Sequence, residues 1–109
     1  MCKFQRVDYI CRGGEESYCP DFAVFGFRYV CIEGYKPAPE EFTAIAVYSD
    51  MKETGRFACS DALIDKLVSN SLWSQKGNFL DVATDCPTRE RNAWTGDAQV
   101  FAYTSTCFM

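Results

Sequence analysis

The segment from residue 81 to residue 97 concentrates side chains that can perform acid–base chemistry. It holds four carboxylates, two arginines and one tryptophan. If the segment folds around one point, Asp85, Glu90 and Asp97 converge, and burial near like charges raises the pKa of a carboxyl group, as a general acid near neutral pH requires. The arginines would keep the other carboxylates ionised as acceptors for hydroxyl groups, and the face of Trp94 suits a sugar ring.

The same residues also fit an ordinary surface loop held together by salt bridges. Exposed ion pairs of this kind contribute at most about 1 kcal/mol each to stability. Three carboxylates in a loop do not identify a substrate. The spacing alone therefore leaves both interpretations open.

Length and charge restrict the classes of function. The chain has 109 residues, which suggests one domain or part of one, and its formal net charge is −4. It contains no Lys/Arg cluster, which argues against nucleic acid and against an anionic membrane surface as partners. No apolar run approaches the roughly 20 residues that would span a bilayer. There is no glycine-rich phosphate loop either.

Seven cysteines are scattered along the chain without a CxxC pair, and histidine is absent. Structural zinc sites need closely paired ligands, so we expect no metal, and the sequence indicates no other cofactor. An odd number of widely spaced cysteines favours free thiols in a reducing compartment over a disulfide framework. Because no apolar signal core follows Met1, we expect a cytoplasmic protein. The cysteines stand at positions 2, 11, 19, 31, 59, 86 and 107.

The elements that must position this loop change in type near residue 58. Before it, residues 25–32 and 42–49 alternate in a period of two among β-branched and aromatic side chains, which predicts antiparallel strands. After it, an apolar stripe with helical spacing predicts a helix over residues 60–76, with Ser60 as the N-cap and Asp61 in the first turn. A second helix is predicted from Asp97. The chain ends within an apolar run, from which we expect a truncated product.

Several ordered segments of the chain resemble one known family. Residues 85–99 read DCPTRERNAWTGDAQ, and this run is similar to the signature of bacterial-type α-L-rhamnosidases of glycoside hydrolase family 78, approximately D-C-P-x-R-[D]-E-R-x-G-W-T-G-D-A-Q. Further similarities follow the order of the family, and the resemblance covers roughly residues 9 to 109. They lie at residues 18–22 (YCPDF), 26–30 (GFRYV), 55–57 (GRF) and 73–78 (WSQKGN).

The resemblance implies an α+β architecture with two parts. Residues 1–57 would form the C-terminal part of an antiparallel β-sandwich. Residues 58–109 would form the N-terminal part of an incomplete (α/α)6 barrel, the catalytic domain. This division agrees with the change from strand to helix patterns near residue 58.

The resemblance also implies a role for each matching residue. Glu90 matches the general acid, while Asp85 and Asp97 match carboxylates that hold the rhamnose. Trp94 matches an aromatic side chain at the sugar site, and Arg89 would contact the substrate or a neighbouring side chain. The expected chemistry is inverting hydrolysis of terminal α-L-rhamnosyl linkages in glycosides or polysaccharides. The sequence does not fix the oligomeric state.

Departures from the family pattern keep other hypotheses open. Ala93 replaces the usual glycine, which requires a backbone without positive φ there, and Thr88 stands where glutamine is common. The family's general base is a glutamate with no matching position in this chain, so we expect the isolated chain to be inactive. One alternative is a non-catalytic carbohydrate-binding β-sandwich module, motivated by the aromatic residues from Phe25 to Tyr29. Another is a truncated remnant without a function.

Overall fold

The computed structural model describes residues 5–109, and the segment around Cys2 lies outside them. A 3-10 helix occupies Pro39–Glu41. Helix α1 spans Ala62–Gly77, and a small hairpin follows, formed by β1 at Phe79–Leu80 and β2 at Val82–Ala83. Helix α2 spans Thr95–Ser105. The described elements therefore lie mostly in the second half of the chain.

Helix α1 confirms the predicted helix, with both ends shifted by one or two residues. The N-cap is Asp61, whose carboxylate accepts the Leu63 N–H at 2.9 Å. A carboxylate in this position satisfies a backbone donor that the helix leaves unpaired, and it is favoured by the helix dipole. The prediction of Ser60 as N-cap was wrong because the neighbouring Asp61 makes this bond. The Asn78 N–H closes the C-terminal end on the carbonyls of Gln75 and Lys76.

Helix α2 begins at Thr95, two residues before the predicted start at Asp97. Asp97 is therefore the third residue of the helix, and its carboxylate still lies in the first turn, where negative charge is stabilised. The backbone of Trp94 forms the N-cap without a side-chain hydrogen bond. The segment between the two helices thus ends at Trp94, and Asp97 lies in the first turn of α2.

The hairpin was not predicted, because residues 78–96 appeared irregular from their sequence. β1 and β2 pair antiparallel, with Phe79 opposite Ala83 and Leu80 opposite Val82. Asp81 makes the tight reversal with a φ of 69°, a left-handed conformation that Asp tolerates better than most residues. Its N–H donates to Ser49 Oγ at 2.7 Å, which ties the hairpin to the first half of the chain.

The strands predicted over residues 25–32 and 42–49 are not observed. Neither segment forms a ladder in the part of the chain that the structure describes, where the hairpin supplies the only strand pair. A strand requires a partner that accepts its backbone hydrogen bonds in register, and these two runs do not pair with each other. Alternating side chains such as Phe27 and Ile45 consequently remain exposed. The β-sandwich part of the predicted fold is therefore not confirmed.

Backbone groups provide much of the contact between the two halves. The Gly26 N–H donates to the Pro87 carbonyl at 3.0 Å, and the Thr54 N–H donates to the Phe108 carbonyl at 2.9 Å. Among the described residues, Gln75 alone is fully buried, with 2% of its surface exposed. The apolar stripe of α1 is open, as Leu63 shows with 81% exposure. Within residues 5–109, no helix has the length and apolar content needed to cross a membrane.

Gly26 generates a prediction about stability. A Cβ atom built on Gly26 would overlap the carbonyl of Pro87, to which its own N–H is bonded. We expect Gly26→Ala to displace residues 22–27 from the loop and to lower the free energy of unfolding by about 1–3 kcal/mol. Urea denaturation followed by circular dichroism would measure this change. Gly77→Ala is the matched control, since a Cβ there meets open space at the end of α1, and unchanged stability of Gly26→Ala would contradict the prediction.

Candidate active site

The loop between β2 and α2 is closed by reciprocal hydrogen bonds between Asp85 and Asn92. The Asp85 N–H donates to the Asn92 carbonyl at 3.1 Å, and the Asn92 N–H donates to Asp85 Oδ1 at 2.9 Å. The loop is attached to the helical half through Thr84, whose N–H donates to the Asn78 carbonyl at 2.8 Å. Residues 86–91, including Glu90, are therefore confined to a short closed turn.

Asp85 and Glu90 lie close to each other inside this turn. The interaction with the Glu90 side chain is the largest cause that lowers the pKa of Asp85, and the Asn92 N–H is the next; together they bring it to about 2. Asp85 is thus an ionised acceptor near neutral pH.

Arg89 forms an ion pair with Glu90 on the outer side of the turn. Its Nη2 atom lies 2.8 Å from Glu90 Oε1, but 77% of the Arg89 side chain and 44% of the Glu90 side chain are exposed. Water screens such a pair strongly, so its effect on the carboxylate is small. Among the predicted site residues, Arg89 thus forms its ion pair with Glu90.

Cys86 supports the backbone at Glu90. The Glu90 N–H donates to Cys86 Sγ at 3.3 Å. The backbone N–H groups of residues 91 and 89 are the largest causes that lower the pKa of the Cys86 thiol. The six described cysteines are free, and none of them is fully buried.

Asp85 and Asp97 line one groove between α1 and α2, with a volume of about 660 Å³. This volume is in the range of small-molecule sites. Glu90 lines a second groove of about 550 Å³, and Thr84 lines both. The structure therefore brings Asp85 and Asp97 to the first groove and places Asp85 close to Glu90 within the loop. Trp94 is exposed and lines neither groove.

Ala93 is accommodated where the family pattern has glycine. Positive φ among the described non-glycine residues occurs at Asp81 and at Arg91, where it is 52°, and not at Ala93. The condition stated for this substitution is therefore met. The left-handed residue of this loop is Arg91, whose guanidinium Nη1 donates to the Val24 carbonyl at 2.6 Å.

Sequence reasoning assigned no individual role to three residues that shape the site. Asn92 closes the loop, Arg91 binds the first half of the chain, and Gln75 is buried at the wall of the first groove. Gln75 Nε2 donates to the Ser105 carbonyl at 3.3 Å, while its Oε1 has no hydrogen-bond partner among residues 5–109. One sequence feature could have pointed to the burial of Gln75: it is a polar residue near the end of an apolar stripe, within the segment 73–78.

Comparisons with known proteins agree on one family. The family model for the bacterial alpha-L-rhamnosidase 6 hairpin glycosidase domain matches residues 52–109. The model for the bacterial alpha-L-rhamnosidase concanavalin-like domain matches residues 2–48. No solved structure matches this chain.

Curated relatives named alpha-L-rhamnosidase match most of the chain. One from Formosa agariphila is 43% identical over 100 residues, covering 89% of this chain and 10% of the relative. A second from Formosa agariphila is 41% identical, covering 93% of this chain and 12% of the relative. One from Streptomyces avermitilis is 43% identical, covering 88% and 10% respectively. The chain thus spans about a tenth of the length of the curated relatives it matches.

The carboxyl pair generates a prediction about pH. Because the folded-state pKa of Asp85 lies near 2, below its ordinary value of 3.8, its contribution to stability is fully present above about pH 4. It is lost as the pH falls through about 2. Carbon-detected NMR of the side-chain carboxyl should show Asp85 titrating near pH 2. A midpoint at its ordinary value would contradict the pair, and Asp50, exposed and distant in sequence, supplies an internal comparison.

Proposed function

The chain belongs to the bacterial α-L-rhamnosidase family, and we propose that its closed loop carries the general acid of an inverting hydrolysis of terminal α-L-rhamnosyl linkages. The observation that carries this proposal is the position of Glu90 in a loop closed by Asp85 and Asn92, beside the Asp85 carboxylate. A general acid must hold a proton until the leaving group needs it. The Glu90 side chain is partly accessible, so an incoming glycosidic oxygen can reach it.

The proposed reaction begins with proton transfer from the Glu90 carboxyl to the glycosidic oxygen. The bond between that oxygen and the anomeric carbon breaks, its electron pair stays on the oxygen, and the anomeric carbon gains oxocarbenium character. A water attacks from the opposite face of the sugar ring and gives its proton to a general base. The leaving group departs as a neutral alcohol, and Glu90 becomes a carboxylate.

Asp85 is unsuitable as that general base. Inverting enzymes separate the acid and the base by about 6.5–9.5 Å so that a water fits between them. Asp85 is within hydrogen-bond reach of Glu90, which leaves no room for this water. We therefore assign the base to a residue outside the loop, in agreement with the expectation from the family pattern.

The first groove is the proposed position of the rhamnose ring. Asp85 is ionised and Asp97 lies in the first turn of α2, so both can accept hydrogen bonds from sugar hydroxyls. Trp94, the residue before α2, is proposed as an aromatic face at the edge of this site. Arg89, whose Nη2 lies 2.8 Å from Glu90 Oε1, is proposed to contact the substrate or to position the Glu90 side chain.

A chimera tests the acid assignment. The aligned residues of this chain would replace those of the Formosa agariphila relative to which it is 43% identical. We expect the chimera to release L-rhamnose from an aryl α-L-rhamnoside. Glu90→Gln cannot donate the proton and should reduce kcat by roughly 10²–10⁴-fold.

Glu40→Gln is the matched control, because Glu40 is an exposed residue of the 3-10 helix far from the loop in sequence. This substitution should leave kcat unchanged. Full activity of the Glu90→Gln chimera would refute Glu90 as the acid. An inactive parent chimera that is folded by circular dichroism would argue against the proposed function itself.

A further inference from the structure

The first half of the chain donates two hydrogen bonds to backbone carbonyls of the closed loop, residues 85–92. The Gly26 N–H donates to the Pro87 carbonyl at 3.0 Å, and Gln5 Nε2 donates to the Thr88 carbonyl at 2.9 Å. Both carbonyls precede Glu90 in the loop. The backbone that leads into Glu90 is therefore held by residues that lie far from it in sequence.

The loop returns one hydrogen bond from the other side of Glu90. Arg91 directly follows Glu90, and its guanidinium Nη1 donates to the Val24 carbonyl at 2.6 Å. A hydrogen bond with a charged donor is roughly twice as strong as one between neutral groups. Glu90 thus lies between two attachments of the loop to residues 24–26.

The backbone at Arg91 needs the support of its side chain. Its φ is 52°, a left-handed conformation in which a non-glycine residue is strained and persists only when surrounding contacts fix it. The next residue, Asn92, donates its N–H to Asp85 Oδ1 and closes the loop. The bond from Arg91 to Val24 therefore fixes the single backbone position between Glu90 and the closure of the loop.

We propose that Arg91 is a positioning residue for Glu90, and that residues 22–27 of the first half act through it on the active site. The inference rests on the proposed function, because it concerns the direction in which Glu90 presents its proton. Without the bond from Arg91 to Val24, the left-handed turn loses its support and the Glu90 carboxyl moves away from the glycosidic oxygen. A displacement of about 1 Å is enough to lower the rate of the reaction strongly.

Two leaving groups of different basicity distinguish positioning of the acid from general stability. Arg91→Ala keeps a Cβ atom at the left-handed position and removes only the guanidinium. In the chimera, we expect this variant to lower kcat for phenyl α-L-rhamnoside roughly tenfold, because the basic phenolate needs the proton of Glu90 to depart. For 4-nitrophenyl α-L-rhamnoside, whose leaving group is stable as an anion, kcat should change less than about twofold. KM should stay the same for both, since Arg91 does not line the rhamnose groove.

Arg91→Lys tests rescue by a conservative variant, and Arg28→Ala is the matched control. Lysine retains a charged donor for the Val24 carbonyl, so it should restore part of kcat for the phenyl substrate. Arg28 is an exposed arginine of the first half, and its guanidinium lies 5.5 Å from the centroid of the Tyr29 ring. Its replacement by alanine should leave kcat for both substrates unchanged.

The ratio of the two kcat values decides the inference, because this ratio does not depend on the folded fraction of the protein. An equal loss of kcat for both substrates would overturn the inference, since Arg91→Ala would then only reduce the amount of active enzyme. An unchanged kcat for the phenyl substrate would overturn it as well. If Arg91→Ala does not fold, Arg91→Lys decides in the same way, and a kcat ratio equal to that of the parent chimera refutes the inference. The proposed function is judged separately, by the parent chimera and by Glu90→Gln.

Discussion

The closure of the loop on Asp85 is the constraint on which the site depends. The Asp85 carboxylate accepts from the Asn92 N–H, the Asp85 N–H donates to the Asn92 carbonyl, and Glu90 lies beside the same carboxylate. If Asp85 were neutral, its side chain would lose much of its strength as an acceptor and the turn would be less firmly closed. One ionised side chain therefore both closes the loop and supplies the negative charge next to Glu90.

The backbone around this pair is fixed from several directions. Thr84 binds the Asn78 carbonyl, Cys86 Sγ accepts the Glu90 N–H, and Arg91 reaches the Val24 carbonyl from a left-handed backbone position. Catalytic groups on loops need this kind of support, because an error of about 1 Å in position can cost a large part of the rate. The loop therefore obtains its geometry from short-range hydrogen bonds, since little apolar surface is buried beneath it.

Features set by local sequence were predictable, and features that need distant partners were not. The stripe from Leu63 to Leu72 identified α1, and the carboxylate at Asp97 located the first turn of α2 within two residues. The alternation in residues 25–32 instead predicted a strand, because period-two spacing shows which side chains share a face and not whether a partner strand is present. Trp94 was assigned to the sugar site by its type and by the family pattern, and its side chain lines neither groove.

Several contacts between the two halves depend on main-chain atoms instead of particular side chains. The carbonyls of Pro87 and Phe108 accept from Gly26 and Thr54, and the backbones approach so closely at Gly26 and Gly55 that a methyl group would not fit. Most neighbouring positions can thus change their residue type without altering how the halves meet. Substitutions in this region would therefore be tolerated broadly, except at the two glycines, which any redesign must retain.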